Sequence, residues 1–268
     1  MDLCALGPLE LWDHERQFEL GSVKQRRVLG TLLHARGEPV SVETLVDRVW
    51  DAPPLPASPE ASLQSYLSRL RRVLAEAVGD RVGIAHPSPG RYQLRFDPED
   101  VDLLRFQRLR REAVEAAARG EREFALGKLH AAQAEWKGEP LAEFGCDWAL
   151  SLRARLHEDL RHVQEERIRL ELELGRHADL LGELQERAAR HPLDQRGIAS
   201  LMLALYRSGR TAEALRRYRD TRRLLRDSQG IEPDAELREL HERMLAQDDA
   251  SLLPARSPEP ERTAQPAP

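Results

Sequence analysis

The chain has 268 residues, more than one small core needs, so two domains are the natural expectation. Hydrophobic residues make up 41% and charged residues 32%, a balance that fits a soluble globular protein rather than a disordered or membrane one. No apolar run reaches the length of a membrane span, no basic-then-apolar leader opens the chain, and the formal charge of −5 argues against a uniformly basic nucleic-acid binder. The two cysteines, Cys4 and Cys146, have no metal-like spacing and read as buried thiols of a reducing, cytoplasmic compartment.

The first twenty residues hold three short apolar segments, Leu3–Leu6, Leu9–Trp12 and Phe18–Leu20. Gly7-Pro8 and Asp13-His14 separate them as turns, which predicts a small antiparallel sheet. Ser22 with Gln25 forms a capping box at the start of a helix whose inner face is Val28, Leu29, Leu32 and Leu33. Ser41 caps a second, shorter helix carrying Leu45, Val46, Val49 and Trp50. After the proline-rich APPLPASP, Ser58 and Pro59 open a third helix to about Ala77, with proline at the favoured first position. Val82–His86 and Arg91–Phe96, joined by Pro87-Ser88-Pro89-Gly90, read as a hairpin. Sheet, three helices and hairpin make a winged helix.

Beyond residue 101 every long pattern has helical period. Gly175-Arg176-His177-Ala178 recurs 34 residues later as Gly209-Arg210-Thr211-Ala212. Leu172 then matches Tyr206, Leu181 matches Leu215, and Leu184 matches Tyr218. Thirty-four is the period of tetratricopeptide helix pairs. The expected division is therefore a winged helix over 1–97, an all-α tetratricopeptide-like domain over 98–249, and a disordered tail rich in Pro, Glu and Ser over 250–268. The fold class is mainly α, with an α+β winged helix in front.

Charge is segregated within the first domain. Residues 1–100 carry net −3, yet residues 58–96 hold six arginines against three acids. On the third helix Leu63, Leu67, Leu70, Leu74 and Ala77 face inward at 4-3-4-3 spacing. Ser65, Ser68, Arg69 and Arg72 then form one polar stripe without an acid, with Gln64 beside it. Such a stripe suits the major groove, where Arg reads guanine and Ser or Gln serves base edges or phosphates. The rival reading of the same residues is a solvated amphipathic face. The hairpin favours DNA: Tyr92, Leu94 and Phe96 alternate inward and leave Arg91, Gln93 and Arg95 outside. Lys24, Arg26 and Arg27 cluster in the first turns of the first helix, and Lys24 and Arg27 are read as phosphate contacts.

Nothing supports an enzyme, a metal or a cofactor. His157 and His162 are five apart and do not share a helix face, and neither a phosphate loop nor a Gly-x-Ser-x-Gly elbow occurs. Arg216, Arg217, Arg219, Arg222, Arg223 and Arg226 make a basic run whose bland reading is a solvated face and whose functional reading is a contact with upstream DNA or polymerase. Trp136, Trp148 and Tyr206 are expected in the core.

SLQSYLSRLRRVL and GRYQLRFDPEDVDLLRF resemble the OmpR-type winged helix of the Streptomyces antibiotic regulatory protein family, with LGPLEL and VKQRRVLGTLL…GEPVSVETLVDRVW as its preceding elements. AEWKGEPLAEF, GRHADLLGELQERAARHPLDQ, LMLALYRSGRTAEALRRYRDTRRLL and QGIEPDAELRELHERML resemble the bacterial transcriptional activator domain. The resemblance covers residues 3–248 in the expected order, without the nucleotide-binding domain of the larger members. It implies an activator that binds promoter direct repeats as a side-by-side homodimer, recruits RNA polymerase through its sigma factor, and controls an antibiotic gene cluster. An adaptor acting through the helical domain, or a repressor with the same DNA contacts, are the alternatives.

Overall fold

A computed structural model describes residues 1–51 and 55–253. Contacts divide the chain into two compact units, Met1–Gln164 and Glu165–Pro268. Unit 1 opens with strands β1 (Asp2–Cys4), β2 (Glu10–Asp13) and β3 (Arg16–Phe18), an antiparallel sheet in that order. The third strand lies two residues earlier than its apolar segment suggests. His14 takes a positive φ at the turn, so the chain reverses at once and pairs Arg16 with Asp13.

Helix α1 (Val23–His34) carries the expected box: the Ser22 hydroxyl accepts from the Gln25 amide, and the Gln25 side chain accepts from the Ser22 amide. Val28, Leu29, Leu32 and Leu33 are buried. After β4 (Val40–Ser41), the Ser41 hydroxyl accepts from the Thr44 amide and starts α2 (Val42–Val49). Helix α3 (Pro59–Val78) has Pro59 at its first position and Leu63, Leu67, Leu70 and Leu74 fully buried. Strands β5 (Gly83–Ser88) and β6 (Arg91–Arg95) form the hairpin, and β4 pairs with β6 to give the order β4-β6-β5. This is the winged helix. Of the proline-rich connection, residues 52–54 lie outside the described residues.

Unit 1 does not end at the hairpin. Helices α4 (Asp102–Ala118) and α5 (Arg122–Ala134) follow, and the first part of α6 (Asp147–Glu173) belongs to the same unit. The seam is dense. Leu3 bridges Val101 in parallel, and Asp102, fully buried, accepts hydrogen bonds from the amides of Ala5, Leu6 and Leu103. Arg105 binds Asp2 and Glu135 together. The Lys137 amide donates to the Leu6 carbonyl, the Leu141 amide to the Gly7 carbonyl, and the Trp148 indole to the Arg48 carbonyl. Phe144 packs so closely on Gly30 that a Cβ there would lie 3.0 Å from its ring. Trp136 and Trp148 are half-buried rather than core residues; Trp148 lies at this seam against Arg48, and Trp136 packs on Phe106 and His157. Cys4 and Cys146 are free and buried.

His34 closes α1 beside three arginines. Burial, with Arg48, Arg155 and Arg36 nearby, pushes its imidazole down to about 4 from 6.5. A folded value below the unfolded one means that the unfolded chain binds the proton first as pH falls. Stability is therefore expected to drop as pH is lowered from 6.5 through 4. Urea unfolding across that window checks this, and His34→Gln should flatten that part of the slope.

Unit 2 continues α6 and adds α7 (His177–Arg190), α8 (Gln195–Arg207), α9 (Thr211–Gln229), α10 (Ala235–Leu245) and the single turn α11 (Asp249–Leu252). The repeat seen in sequence is physical. The Gly175 amide donates to the Leu172 carbonyl and Arg176 to Glu171; 34 residues on, Gly209 donates to Tyr206 and Arg210 to Leu205. Both glycines have φ in the left-handed region (77° and 73°), the Schellman ending that lets a helix stop and turn. The α4–α5 turn repeats the pattern, Gly120 donating to Ala117 and Glu121 to Ala116. Leu172, Leu184, Tyr206 and Tyr218 are buried in one core, with Leu181 and Leu215 packed against it. That core extends to Leu252, so the segment expected to be a tail begins with a helical turn; residues 254–268 lie outside the described residues.

Candidate nucleic-acid interface

Helix α3 is anchored by its leucines, and that fixes what its other face presents. Gln64, Ser65, Ser68, Arg69 and Arg72 are exposed. Its acids stand only at the ends: Glu60 in the first turn, and Glu76, which pairs with Arg16 at 3.5 Å. Between Ala61 and Ala75 there is none. Arg69 and Arg72 have no ion-pair partner among the described residues, so both guanidiniums are available. Ser65 to Arg72 covers roughly 10 Å of helix at 1.5 Å per residue, close to the width of a major groove.

Gln64 behaves differently from its neighbours. Its amide donates to the Tyr92 hydroxyl of β6, so it holds the wing to the helix. Arg71 does the same work: it donates to the Ile84 carbonyl at 2.9 Å and lies over the Tyr92 ring. Tyr92 is buried with His86 against it. A buried tyrosine needs a partner for its hydroxyl, and that need was the available signal for Gln64.

On the wing, Arg91 and Arg95 are exposed, with Arg91 reaching the Pro39 carbonyl only at 3.4 Å. Gln93 is tied to the Gly37 carbonyl, and the Val42 amide donates to Gly90, so the strand is pinned at both ends. Phe96 is only half-buried. Lys24 is exposed and sits over the Trp50 ring, which in turn stacks on Tyr66 of α3. Lys24 is thereby joined to the helix through two rings. Arg27 is not free: it donates to the Val49 carbonyl and pairs with Asp51 at 2.7 Å. Arg26 faces Glu143.

In unit 2 a groove of about 560 Å³ runs between α6, α8 and α10. Its floor includes Ile168, Leu172 and Leu203. Its rim charges largely satisfy one another, Arg169 with Glu166 and Glu173, Arg187 with Glu165, Arg243 with Glu239. No helix among the described residues is long and apolar enough to cross a membrane.

Two family models match in tandem: "Transcriptional regulatory protein, C terminal" over residues 16–86 and "Bacterial transcriptional activator domain" over 101–245. Residues 87–100, which lie between the two matches, fall inside unit 1. The chain is 34% identical to the regulatory protein DnrI of Streptomyces peucetius, over 92% of this chain and 93% of that one. The chain belongs to the Streptomyces antibiotic regulatory protein family. That family consists of DNA-binding transcriptional regulators and not of enzymes. The transcriptional regulator RedD of Streptomyces coelicolor is 33% identical over 95% of this chain and 73% of its own. The regulatory protein AfsR of Streptomyces griseus is 38% identical over 95% of this chain, which spans only 26% of AfsR. In three dimensions the chain is similar to Mycobacterium tuberculosis EmbR in complex with a low-affinity phosphopeptide, with a TM-score of 0.85 and 33% identity over 95% of this chain and 66% of that one. The expected α+β winged helix followed by a mainly helical domain is the fold this chain shares with EmbR.

Proposed function

We propose that the chain is a sequence-specific transcriptional activator in which α3 reads the major groove. Ser65, Ser68, Arg69 and Arg72 face the bases, and Lys24, Arg91 and Arg95 hold phosphates. Arg27 joins them only by giving up Asp51, and Gln64 acts by fixing the wing. The observation that supports this reading is the acid-free stripe whose two guanidiniums have no ion pair among the described residues, beside a wing strand with an exposed arginine at each end. The winged helix of 1–97 is the reading head, and residues 98–249 serve protomer pairing and engage RNA polymerase and its sigma factor. Its place is the cytoplasm, and the target is a secondary-metabolite gene cluster.

Protomers side by side on one face of the duplex require direct repeats in helical phase, about 10–11 bp apart or a multiple of it. Sequencing the genomic fragments that the purified protein retains is the test. Enrichment of in-phase direct repeats beside promoter −35 elements is the expected result. Recovery of strictly palindromic sites, or of no preferred sequence, would refute the reading.

A further inference from the structure

The arginine run of α9 is left unused by the winged helix. The helix holds six arginines against Glu213, Asp220 and Asp227 in a chain of net charge −5. Its buried face is Ala214, Tyr218, Thr221 and Leu225. At 3.6 residues per turn, Arg216, Arg219 and Arg223 lie diametrically opposite that face, at i, i+3 and i+7. All three are exposed, and none has an ion-pair partner among the described residues. Arg222 and Arg226 differ, since both turn to Glu232. The result is a row of three guanidiniums without a direct ion pair among the described residues, spanning roughly 10 Å, with Asp220 and Asp227 along one edge and Glu213 near Arg216.

We propose that Arg216, Arg219 and Arg223 dock on the phosphate backbone of duplex DNA outside the bases read by α3. This rests on the DNA-binding reading above and extends the interface into unit 2. Charge complementarity names the occupant. Arginine forks match phosphate oxygens, and a row of them tracks a strand. A protein partner would need an apolar or aromatic anchor at the centre of the patch. Here no large apolar side chain lies within the row; Leu224 sits off its acidic edge, 37% exposed.

The experiment measures binding of the full chain across a salt series to two duplexes. One is trimmed to the selected half-sites, and the other carries one further helical turn on each side. Each phosphate neutralised contributes about 0.9 to the slope of log K against log salt. Arg216→Gln/Arg219→Gln/Arg223→Gln should lower that slope by about 2–3 on the long duplex and leave the trimmed one unchanged. The triple lysine variant should keep most of the wild-type slope. Equal slopes for wild type and the glutamine variant on the long duplex overturn the proposal, and a loss of polymerase-dependent transcription alongside equal slopes would assign the row to an acidic protein surface instead. Repeating the series on an unrelated duplex keeps the two readings separable. A wild type that shows no site preference refutes base reading by α3, while the slope difference still scores the row.

Discussion

Replacing Arg69 and Arg72 with alanine is expected to weaken binding to the selected direct repeats by about 10³-fold, taking about 2 kcal/mol for each base-reading arginine and 1.4 kcal/mol for each factor of ten. The loss should fall on site preference, because on the proposed reading Lys24, Arg91 and Arg95 hold the phosphates of any duplex. Neither residue touches the core: both side chains are exposed and the leucines behind them are untouched. The melting temperature should therefore stay within the narrow range of ordinary surface changes. Fluorescence anisotropy at one fixed salt concentration, with a melting curve of each variant, makes the comparison. A loss smaller than threefold in a folded variant would mean that α3 does not read bases. Arg71→Ala provides a contrast: it releases the wing from α3, so it should weaken binding and lower stability together.

Asp102→Ala is expected to be the most damaging single change in unit 1. The carboxylate is fully buried and accepts from the amides of Ala5 and Leu6, ninety-odd residues earlier in the chain. Alanine leaves both donors buried and unpaired, at about 1–3 kcal/mol each, so a loss of about 4 kcal/mol follows. That is a large share of a domain's ordinary stability. Urea unfolding should show it, with the sheet and α4 lost in one transition. Burial pushes the Asp102 carboxyl up to about 6, against the hydrogen bonds from Leu6, Ala5 and Leu103 that lower it. Its folded value therefore lies above the unfolded 3.8, and its contribution is greatest below 3.8 and fades as pH rises through 6. The gap between wild type and Asp102→Ala should accordingly narrow over that interval. A variant that loses less than 1 kcal/mol, on the order of a solvated hydrogen bond, would show that water takes the place of the carboxylate.

What could be read from sequence was local. The Ser22–Gln25 box, the proline opening α3 and the 4-3-4-3 leucines are each contained within a few turns, and the helices lie where those signals place them. The 34-residue repeat was legible because a Schellman turn demands glycine twice at the same offset. The seam was not legible. Asp102 stands in a run of acids and prolines that looks like a boundary, and nothing beside it in sequence reveals the distant amides it serves. The stripe on α3 followed from spacing alone. The commitments of Arg27 to Asp51 and of Gln64 to Tyr92 did not, since both partners come from other elements.

The α4–α5 turn carries the same pair of hydrogen bonds as the two turns of unit 2. One building block thus has two employments in this chain: a first helix pair immobilised against the winged helix, and later pairs that cover one another. The two kinds of neighbour put different limits on change over evolutionary time. The first pair must keep its outline, because Asp102 and Arg105 on α4 fit it to the opening strands. The later pairs meet copies of their own kind, so a lineage can lengthen or shorten the array by whole pairs while the DNA-reading head stays as it is.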